Sequence, residues 1–347
     1  MKTILIDNSL NYAMSKEITF KNLKKLINIV DKFDISIVDV DFKNWEKYRS
    51  ILKKINNKCR IVVLKDELDS KIFFMQKYLK IKIKCDFDSI YSDLLQEKIK
   101  SLSEYNCEIT LEIKDATSIE IKYLIDAIKC FLKYDKLKGF CYNDENSRLD
   151  TTATFENLML LKSGLDKKIE FRCGNSNDLA TANALSAAKI KDIGVNVSFM
   201  GINNDVAIEE FIMANNYFNE SKMSVPDKLS VLCHDVADLL ELNIPLNKAV
   251  IGKNIFAHES GIHVAGVIKC SDIYEAFSPE FVGLKRKIII GKHSGKNALK
   301  FKFDNFNIKL SNVELENLLI EVKKYAYKIK STINDKQLLQ LYIKNIS

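Results

Sequence analysis

Short segments rich in Ile, Val and other apolar residues alternate with helix-length segments over roughly the first 220 residues of the chain. The predicted strands are Thr3–Ile6, Ile35–Val40, Arg60–Leu64, Ile81–Cys85, Glu108–Ile113, Gly139–Tyr142, Lys168–Arg172 and Val195–Phe199. Between most of them apolar residues recur at steps of three and four, as in Ile121 through Leu132, which is typical of amphipathic helices. Eight such units predict a (β/α)8 TIM barrel, whose strands are buried on both faces.

The pattern changes near residue 220, where a helix-rich stretch that includes Leu229–Leu242 begins. A glycine-containing segment follows from 251 to 299, and two helical segments close the chain at roughly 312–330 and 334–344. We therefore predict a TIM barrel over residues 1–220 and a small, mainly helical C-terminal region over residues 221–347. An open doubly wound sheet is the alternative, but no Gly-x-Gly-x-x-Gly follows the first strand, which weakens a dinucleotide-binding interpretation.

Composition indicates an ordinary globular protein, with 47% hydrophobic and 29% charged residues. The apolar run in Met1–Asp7 is too short for a signal peptide, and no stretch approaches the eighteen apolar residues of a membrane helix. A cytoplasmic protein without a membrane partner is therefore expected. The eight cysteines form no Cys-x-x-Cys pair, so most are expected to be reduced and partly buried.

The net charge of +7 comes almost entirely from lysines that are dispersed among acidic residues. Proteins that bind nucleic acids more often cluster their basic residues and use arginine for forked phosphate contacts. Most of the lysines are interpreted as solvated helix faces, and no nucleic-acid partner is expected. A nucleic-acid-binding barrel stays open as an alternative, which a binding assay at low salt would exclude.

All four histidines follow residue 233, and three of them lie in one segment rich in reactive side chains. The histidines are His234, His258, His263 and His293. The segment reads His258-Glu-Ser-Gly-Ile-His263, then Tyr274, then Gly291-Lys-His-Ser-Gly295.

The spacing of these histidines argues against a metal pair. His258 and His263 are five residues apart, which does not place two ligands on one helix face. His258 is therefore expected to be a structural hydrogen-bonding residue, and His234 an ordinary helix histidine. The backbone amides of the turn around His293 either bind an anion or have a purely structural role in the turn.

Residues 251–299, with their two glycine-punctuated motifs and the tyrosine between them, resemble the region after the barrel in homocitrate synthases of the nitrogen-fixation type, which are similar to isopropylmalate synthases. The resemblance extends over nearly the whole chain. It implies an enzyme that joins acetyl-CoA to a 2-oxo acid, with Mg or Mn as the Lewis acid and a base that enolises the acetyl group. It also implies that His263 and Tyr274 are catalytic and reach over the barrel of a neighbouring chain. Ala265 departs from the family, which commonly has aspartate there.

The motifs that hold the metal in this family are missing from the barrel. The opening motif DTTLRDGEQ reads Asp7-Asn-Ser-Leu-Asn-Tyr-Ala-Met14, so Asn11 and Tyr12 replace its arginine and its metal-binding aspartate. The His-x-His of strand seven reads Arg172-Cys-Gly174. Since Tyr12, Arg172 and Gly174 cannot supply the converging ligands that a hard divalent cation needs, we predict no metal site in this barrel.

The loop after strand eight departs from the family pattern, whereas three of its carboxylate positions are kept. The loop after strand eight, Met200-Gly-Ile-Asn-Asn-Asp205, is shorter than in the family and lacks a Glu-Arg pair. Asp7, Asp115 and Asp144 fall at carboxylate positions and are expected to be remnants or hydrogen-bonded structural residues.

The chain combines a degenerate barrel, which lacks the metal motifs, with an intact segment at residues 251–299. This combination resembles one half of a split homocitrate synthase. The resemblance implies that a homocitrate synthase alpha-type barrel subunit is the partner and carries the divalent metal, so that this chain holds no cofactor. The substrates would be acetyl-CoA and 2-oxoglutarate, and homocitrate would serve the nitrogenase iron–molybdenum cofactor. Two alternatives stay open: a non-catalytic pseudoenzyme that stabilises or regulates the partner, and a subunit of an isopropylmalate- or citramalate-type synthase.

Overall fold

A computed structural model describes residues 3–67, 79–219 and 222–346 of the chain. Eight parallel strands form a closed barrel in sequence order. They are β1 (Ile4–Asp7), β2 (Ile35–Asp41), β3 (Cys59–Leu64), β4 (Leu79–Cys85), β5 (Cys107–Ile113), β6 (Leu137–Asp144), β7 (Lys168–Cys173) and β8 (Gly194–Ser198). Each strand pairs with the next, and β1 closes the barrel on β8 with Ile4 opposite Gly194. A two-residue strand, β9 (Val206–Ala207), adds to β8. The predicted TIM barrel and its eight strands are confirmed.

Helices follow most of the strands. They are α1 (Ser9–Ser15), α2 (Phe20–Val30), α3 (Phe42–Leu52), α4 (Asp93–Leu102), α5 (Ile121–Lys129), α6 (Thr151–Gly164), α7 (Ala180–Ala187), α8 (Ile208–Phe218) and α9 (Leu229–Leu239). Helix α2 shows why they form: the hydroxyl of Thr19 accepts a hydrogen bond from the Asn22 amide and caps the first turn. Leu23, Ile27 and Val30 then recur at helical spacing and are buried.

The chain divides into two compact units. The first comprises Met1–Pro226 and Leu232–Asn243, and the second comprises Asp227–Val231 and Ile244–Ser347. The boundary predicted between residues 220 and 221 lies outside the described residues.

The second unit is mainly helical, as predicted. Its helices are α10 (Gly261–Lys269), α11 (Lys296–Asn305), α12 (Asn312–Ile329) and α13 (Asp335–Ile346), and β10 (Ala257–His258) pairs in parallel with β11 (Lys287–Ile288). Apolar residues from α10, α11, α12 and α13 share one core, which includes Val264, Phe303, Leu318 and Leu338.

Charged side chains cross the interior of the barrel. The guanidinium of Arg60 forms ion pairs with Asp39 and Glu170, and all three side chains are buried. The ammonium of Lys82 lies 2.7 Å from a carboxylate oxygen of Asp39 and 3.3 Å from oxygens of Glu112 and Glu170. Lys82 is an exception to the interpretation of most lysines as solvated helix faces, because its strand carries it into the barrel, where it is buried.

Two further expectations concern the chain as a whole. All eight cysteines are free and six of them are buried, as predicted. No helix in the described ranges is both long enough and apolar enough to cross a membrane.

Candidate functional site

The C-terminal ends of the barrel strands surround a cavity of about 490 Å³. Charged residues of both signs line it, among them Asp41 at the end of β2, Lys84 on β4, Glu112 on β5 and Arg172 on β7. This end of a TIM barrel is where active sites form in this fold, because side chains at the strand ends converge there.

Arg172 lies among carboxylates at this end of the barrel. Its Nε donates a hydrogen bond to Asp205 (3.3 Å), and its Nη1 is 3.9 Å from an oxygen of Glu112. Burial opposes ionisation of the Glu112 carboxyl, yet its pKa falls to about 2 because nearby cations outweigh that cost. These cations are Lys84, Lys82 and Arg172. The acidic side chains at the centre of this end are therefore already paired with cations of the protein.

Gly174 has no space for a side chain. A Cβ atom there would lie 2.6 Å from the carbonyl oxygen of Glu145 and 2.8 Å from the hydroxyl of Ser147. Its own amide donates to the carbonyl of Asp144 (2.9 Å), so the backbone is held in place. A histidine at this position would require the loops that follow β6 and β7 to move apart.

Asn11 and Tyr12 lie on α1, and each makes a different structural contact. The amide of Asn11 donates to the Asp41 carboxylate (2.8 Å), and its oxygen accepts from the Asp41 backbone N–H (2.9 Å). These bonds fasten α1 to the end of β2. The ring of Tyr12 is half-buried and lies under the ammonium of Lys16, 5.6 Å from it. In the part of the chain that the structure describes, no three His, Cys, Asp or Glu side chains are grouped to hold a metal ion.

Asp144 and Asp115 take part in hydrogen bonds within the loops, in agreement with the structural interpretation. Buried Asp144 accepts from the hydroxyl of Thr117 (2.8 Å) and from the amides of Arg148 (2.8 Å) and Leu149 (3.1 Å). Asp115 is in a left-handed conformation and pairs with the guanidinium of Arg148 at 3.3 Å. These contacts fix the loop after β6.

Asp7, at the end of β1, is fully buried, and only part of the hydrogen-bonding capacity of its carboxylate is used. Its Oδ2 accepts from the amide of Leu10 (3.2 Å), while its Oδ1 has no hydrogen-bond partner. Removal from water raises its pKa from 3.8 to about 6, although hydrogen bonds with Ser9 and Leu10 act in the opposite direction.

The substitution Asp7→Asn is expected to stabilise the protein at neutral pH. Because the pKa of Asp7 is higher in the folded than in the unfolded chain, its contribution to stability falls as pH rises from 3.8 to about 6. The advantage of the asparagine variant should therefore be small at pH 4 and grow to about 3 kcal/mol at most above pH 6. Urea unfolding across this range measures it, with exposed Asp166→Asn as the matched control. Equal pH dependence in Asp7→Asn and the native chain would contradict the assignment.

The two residues predicted to be catalytic lie together in the second unit. His263 is in the first turn of α10, and Tyr274 follows the short helical turn Ser271–Ile273. Their ring centroids are 5.6 Å apart with an interplanar angle of 54°. Both side chains are exposed, Tyr274 by 41%, and the neighbouring Ile262 and Ile273 are 78% and 76% exposed. The ring pair is thus exposed and is flanked along the chain by two unburied apolar side chains, and we call these four residues the His263 surface.

His258 takes part in a partly buried ionic cluster, as expected of a structural residue. Its Nε2 lies 3.2 Å from the carboxylate of Glu275, which also accepts two hydrogen bonds from Arg286 at 2.7 and 2.5 Å. The cluster connects strand β10 with the segment that carries Tyr274. Sequence reasoning missed Glu275 and Arg286, because nothing in their spacing marks them as partners.

Backbone amides of the turn Gly291–Gly295 donate hydrogen bonds to side chains of the same chain. The amide of His293 donates to the Glu259 carboxylate (3.0 Å), and the amide of Gly291 donates to the Ser294 hydroxyl (2.9 Å). The anion that this turn meets is therefore the chain's own Glu259, and the structural alternative for the turn is favoured. His234 lies half-buried on α9, as expected of a helix histidine.

Comparisons with known proteins place the chain among synthases. Residues 250–330 match a family described as "Homocitrate synthase post-HMGL domain-like". The chain is 35% identical to 2-isopropylmalate synthase 2 of Caldanaerobacter subterraneus over 72% of its own length and 66% of that protein. It is 29% identical to the (R)-citramalate synthase of Methanocaldococcus jannaschii over 91% of its own length and 69% of that protein. The chain thus spans about two thirds of the length of these relatives.

A third relative matches from end to end. The homocitrate synthase omega subunit of Clostridium pasteurianum is 26% identical over 99% of this chain and 96% of that protein. Among solved structures, an HMG-CoA lyase from Acinetobacter baumannii covers 71% of this chain and 95% of its own with a TM-score of 0.57 and 11% identity, which supports the barrel fold alone. The chain belongs to the family of homocitrate, isopropylmalate and citramalate synthases.

Proposed function

We propose that this chain is one subunit of a two-chain homocitrate synthase and completes the active site of an alpha-type barrel subunit in trans. The observation that carries the proposal is the His263 surface, where proton-transfer groups and apolar side chains are exposed together. The end-to-end match to an omega subunit supports the two-chain arrangement. The substrates would be acetyl-CoA and 2-oxoglutarate, and the homocitrate formed would serve the nitrogenase iron–molybdenum cofactor.

The divalent metal, Mg or Mn, would belong to the partner subunit, because the residues of this barrel do not fit it. A cation at the position of the family's His-x-His would face the guanidinium of Arg172, and the two positive charges would repel each other. The second ligand position, Gly174, has no space for an imidazole. No step of the reaction is therefore assigned to this barrel, which would serve as a scaffold.

His263 and Tyr274 would supply proton transfer and orientation. An imidazole can act as a general acid or base, so the His263 ring nitrogen can give a proton to, or take one from, a reacting oxygen or carbon. The hydroxyl of Tyr274, whose ring lies tilted against that of His263, can donate a hydrogen bond to the same region. Covering by the partner would bury Ile262 and Ile273, exclude water and strengthen these interactions.

A related synthase activity is the second candidate. The 35% identity to 2-isopropylmalate synthase 2 exceeds the 26% identity to the omega subunit, and the citramalate synthase lies between them. In this case the two-chain arrangement is unchanged, but the 2-oxo acid is branched or is pyruvate.

The activity is tested by following CoA release from acetyl-CoA with added magnesium or manganese. The assay is run on this chain, on the candidate barrel partner and on their mixture, each with 2-oxoglutarate, pyruvate and a branched 2-oxo acid. We expect activity with 2-oxoglutarate in the mixture and none with this chain alone. A mixture that prefers another 2-oxo acid supports the second candidate, and metal-dependent activity of this chain alone contradicts the proposal.

A further inference from the structure

The ring of Tyr274 lies directly on the backbone of α10. A Cβ atom built at Gly266 would be 2.3 Å from Cε2 of Tyr274, 2.4 Å from its Cζ and 2.5 Å from its hydroxyl oxygen. Gly266 follows His263 by three residues, so the two share a face of the helix. The phenol end of the ring therefore occupies the space that any side chain at position 266 would need.

Glycine is not required at position 266 by the backbone. Gly266 lies inside a regular helix and is not among the residues with positive φ. Glycine within a helix costs about 0.5 to 1 kcal/mol relative to alanine. The contact with Tyr274 explains the glycine, because only a glycine at position 266 leaves room for the ring.

A second set of contacts holds the chain next to Tyr274 in place. The side chain of Glu275, adjacent to Tyr274, is only 3% exposed and accepts two hydrogen bonds from Arg286. These bonds keep the pKa of Glu275 below its ordinary value. His258 on β10 contacts the same carboxylate, and Arg286 directly precedes β11. The carboxylate thereby ties the backbone at Tyr274 to the small β10–β11 sheet.

We propose that Gly266 and Glu275 are positioning residues that together hold the Tyr274 ring against His263. Gly266 provides the space, and Glu275 prevents the segment that carries the ring from moving away. The importance of this geometry for catalysis rests on the function proposed above, whereas the geometry itself can be tested on the isolated chain.

The test is the substitution Gly266→Ala, examined by NMR of the histidine ring protons in the full chain. With four histidines, each signal can be assigned by a single His→Gln substitution. Alanine should displace the exposed Tyr274 ring and remove its ring-current effect on His263, so that the His263 signal moves to the position seen in Tyr274→Leu. The signals of His234 and His293 should not move. Because alanine favours the helix and the ring can move into solvent, Tm should not fall.

Two further variants separate positioning from general damage to the fold. Tyr274→Phe retains the ring and should leave the His263 signal near its native position. Glu275→Gln retains the shape of the side chain but weakens its bonds to Arg286, and should move the His263 signal part of the way. A His263 signal that is unchanged in Gly266→Ala would overturn the inference.

The catalytic consequence is read separately in the mixture with the barrel partner. Gly266→Ala is expected to lower kcat tenfold or more while KM for acetyl-CoA changes little. If the His263 signal moves but kcat does not, the geometric inference stands and the catalytic role proposed for Tyr274 is wrong.

Discussion

Replacing His263 with alanine is expected to lower kcat of the two-chain enzyme by about 10²- to 10⁴-fold, the range that a positioned acid–base group contributes. The side chain is exposed in the isolated chain and is not part of the core, so Tm should not change. Steady-state kinetics of the mixture measure the effect, and sedimentation confirms that the variant still binds its partner. The loss should appear in kcat and in kcat/KM alike, because the group acts on the reacting atoms.

The matched control is His293→Ala. His293 is also exposed, but its bond to Glu259 comes from the backbone amide and survives removal of the imidazole. Full activity is expected for this variant. If His263→Ala retains most of the native kcat, the chain is better described as a pseudoenzyme that stabilises or regulates the partner.

Replacing Lys82 with methionine is expected to lower the free energy of unfolding by about 3 to 5 kcal/mol, because removing one member of a buried ionic network leaves uncompensated charge. The Lys82 side chain is 1% exposed and contacts Asp39, Glu112 and Glu170. Burial opposes its charge, but the carboxylates around it keep its pKa above the ordinary value. Urea unfolding measures the loss.

Lys138→Met is the matched control for this experiment. Lys138 is an exposed lysine on β6, and its substitution should change the free energy of unfolding by less than about 0.5 kcal/mol. If the two variants are equally stable, the barrel interior tolerates the unpaired carboxylates, through water or protonation, and the network does not hold the strands together.

The strands of the barrel were predictable from the sequence because short segments rich in Ile and Val alternate with helix-length amphipathic segments. β7 was expected at Lys168–Arg172 and is found at Lys168–Cys173, while β6 begins two residues before the predicted Gly139. Such differences at the ends arise because hydrogen bonding between strands, and not hydrophobicity, decides where a strand ends.

The polar interior was missed although the sequence carries a signal for it. Lys80, Lys82 and Lys84 alternate with apolar residues on β4, and Glu108, Thr110 and Glu112 do so on β5. In a parallel barrel the face toward the helices must be apolar, so this alternation places charge on the inward face. Opposite charges on adjacent strands, such as Lys82 and Glu112, indicate ion pairs across the interior.

The candidate site was predictable only where residues form a compact motif. His263 and Tyr274 were identified through their resemblance to a family pattern, and the structure brings their rings into contact. The contributions of Gly266 and Glu275 depend on a ring that lies on a helix and on a buried carboxylate. Neither feature is encoded in spacing along the chain.

We propose that protein cations take the place of the metal in this barrel and that the metal comes from another chain. The most direct test is a titration of the isolated chain with Mn²⁺, followed by the EPR signal of the free ion. We expect the free signal to rise from the first addition, as in a buffer blank, because Arg172 and Gly174 prevent coordination. Loss of one equivalent of free Mn²⁺ per chain, recovered on addition of Mg²⁺, would contradict this proposal and require ligands within this barrel.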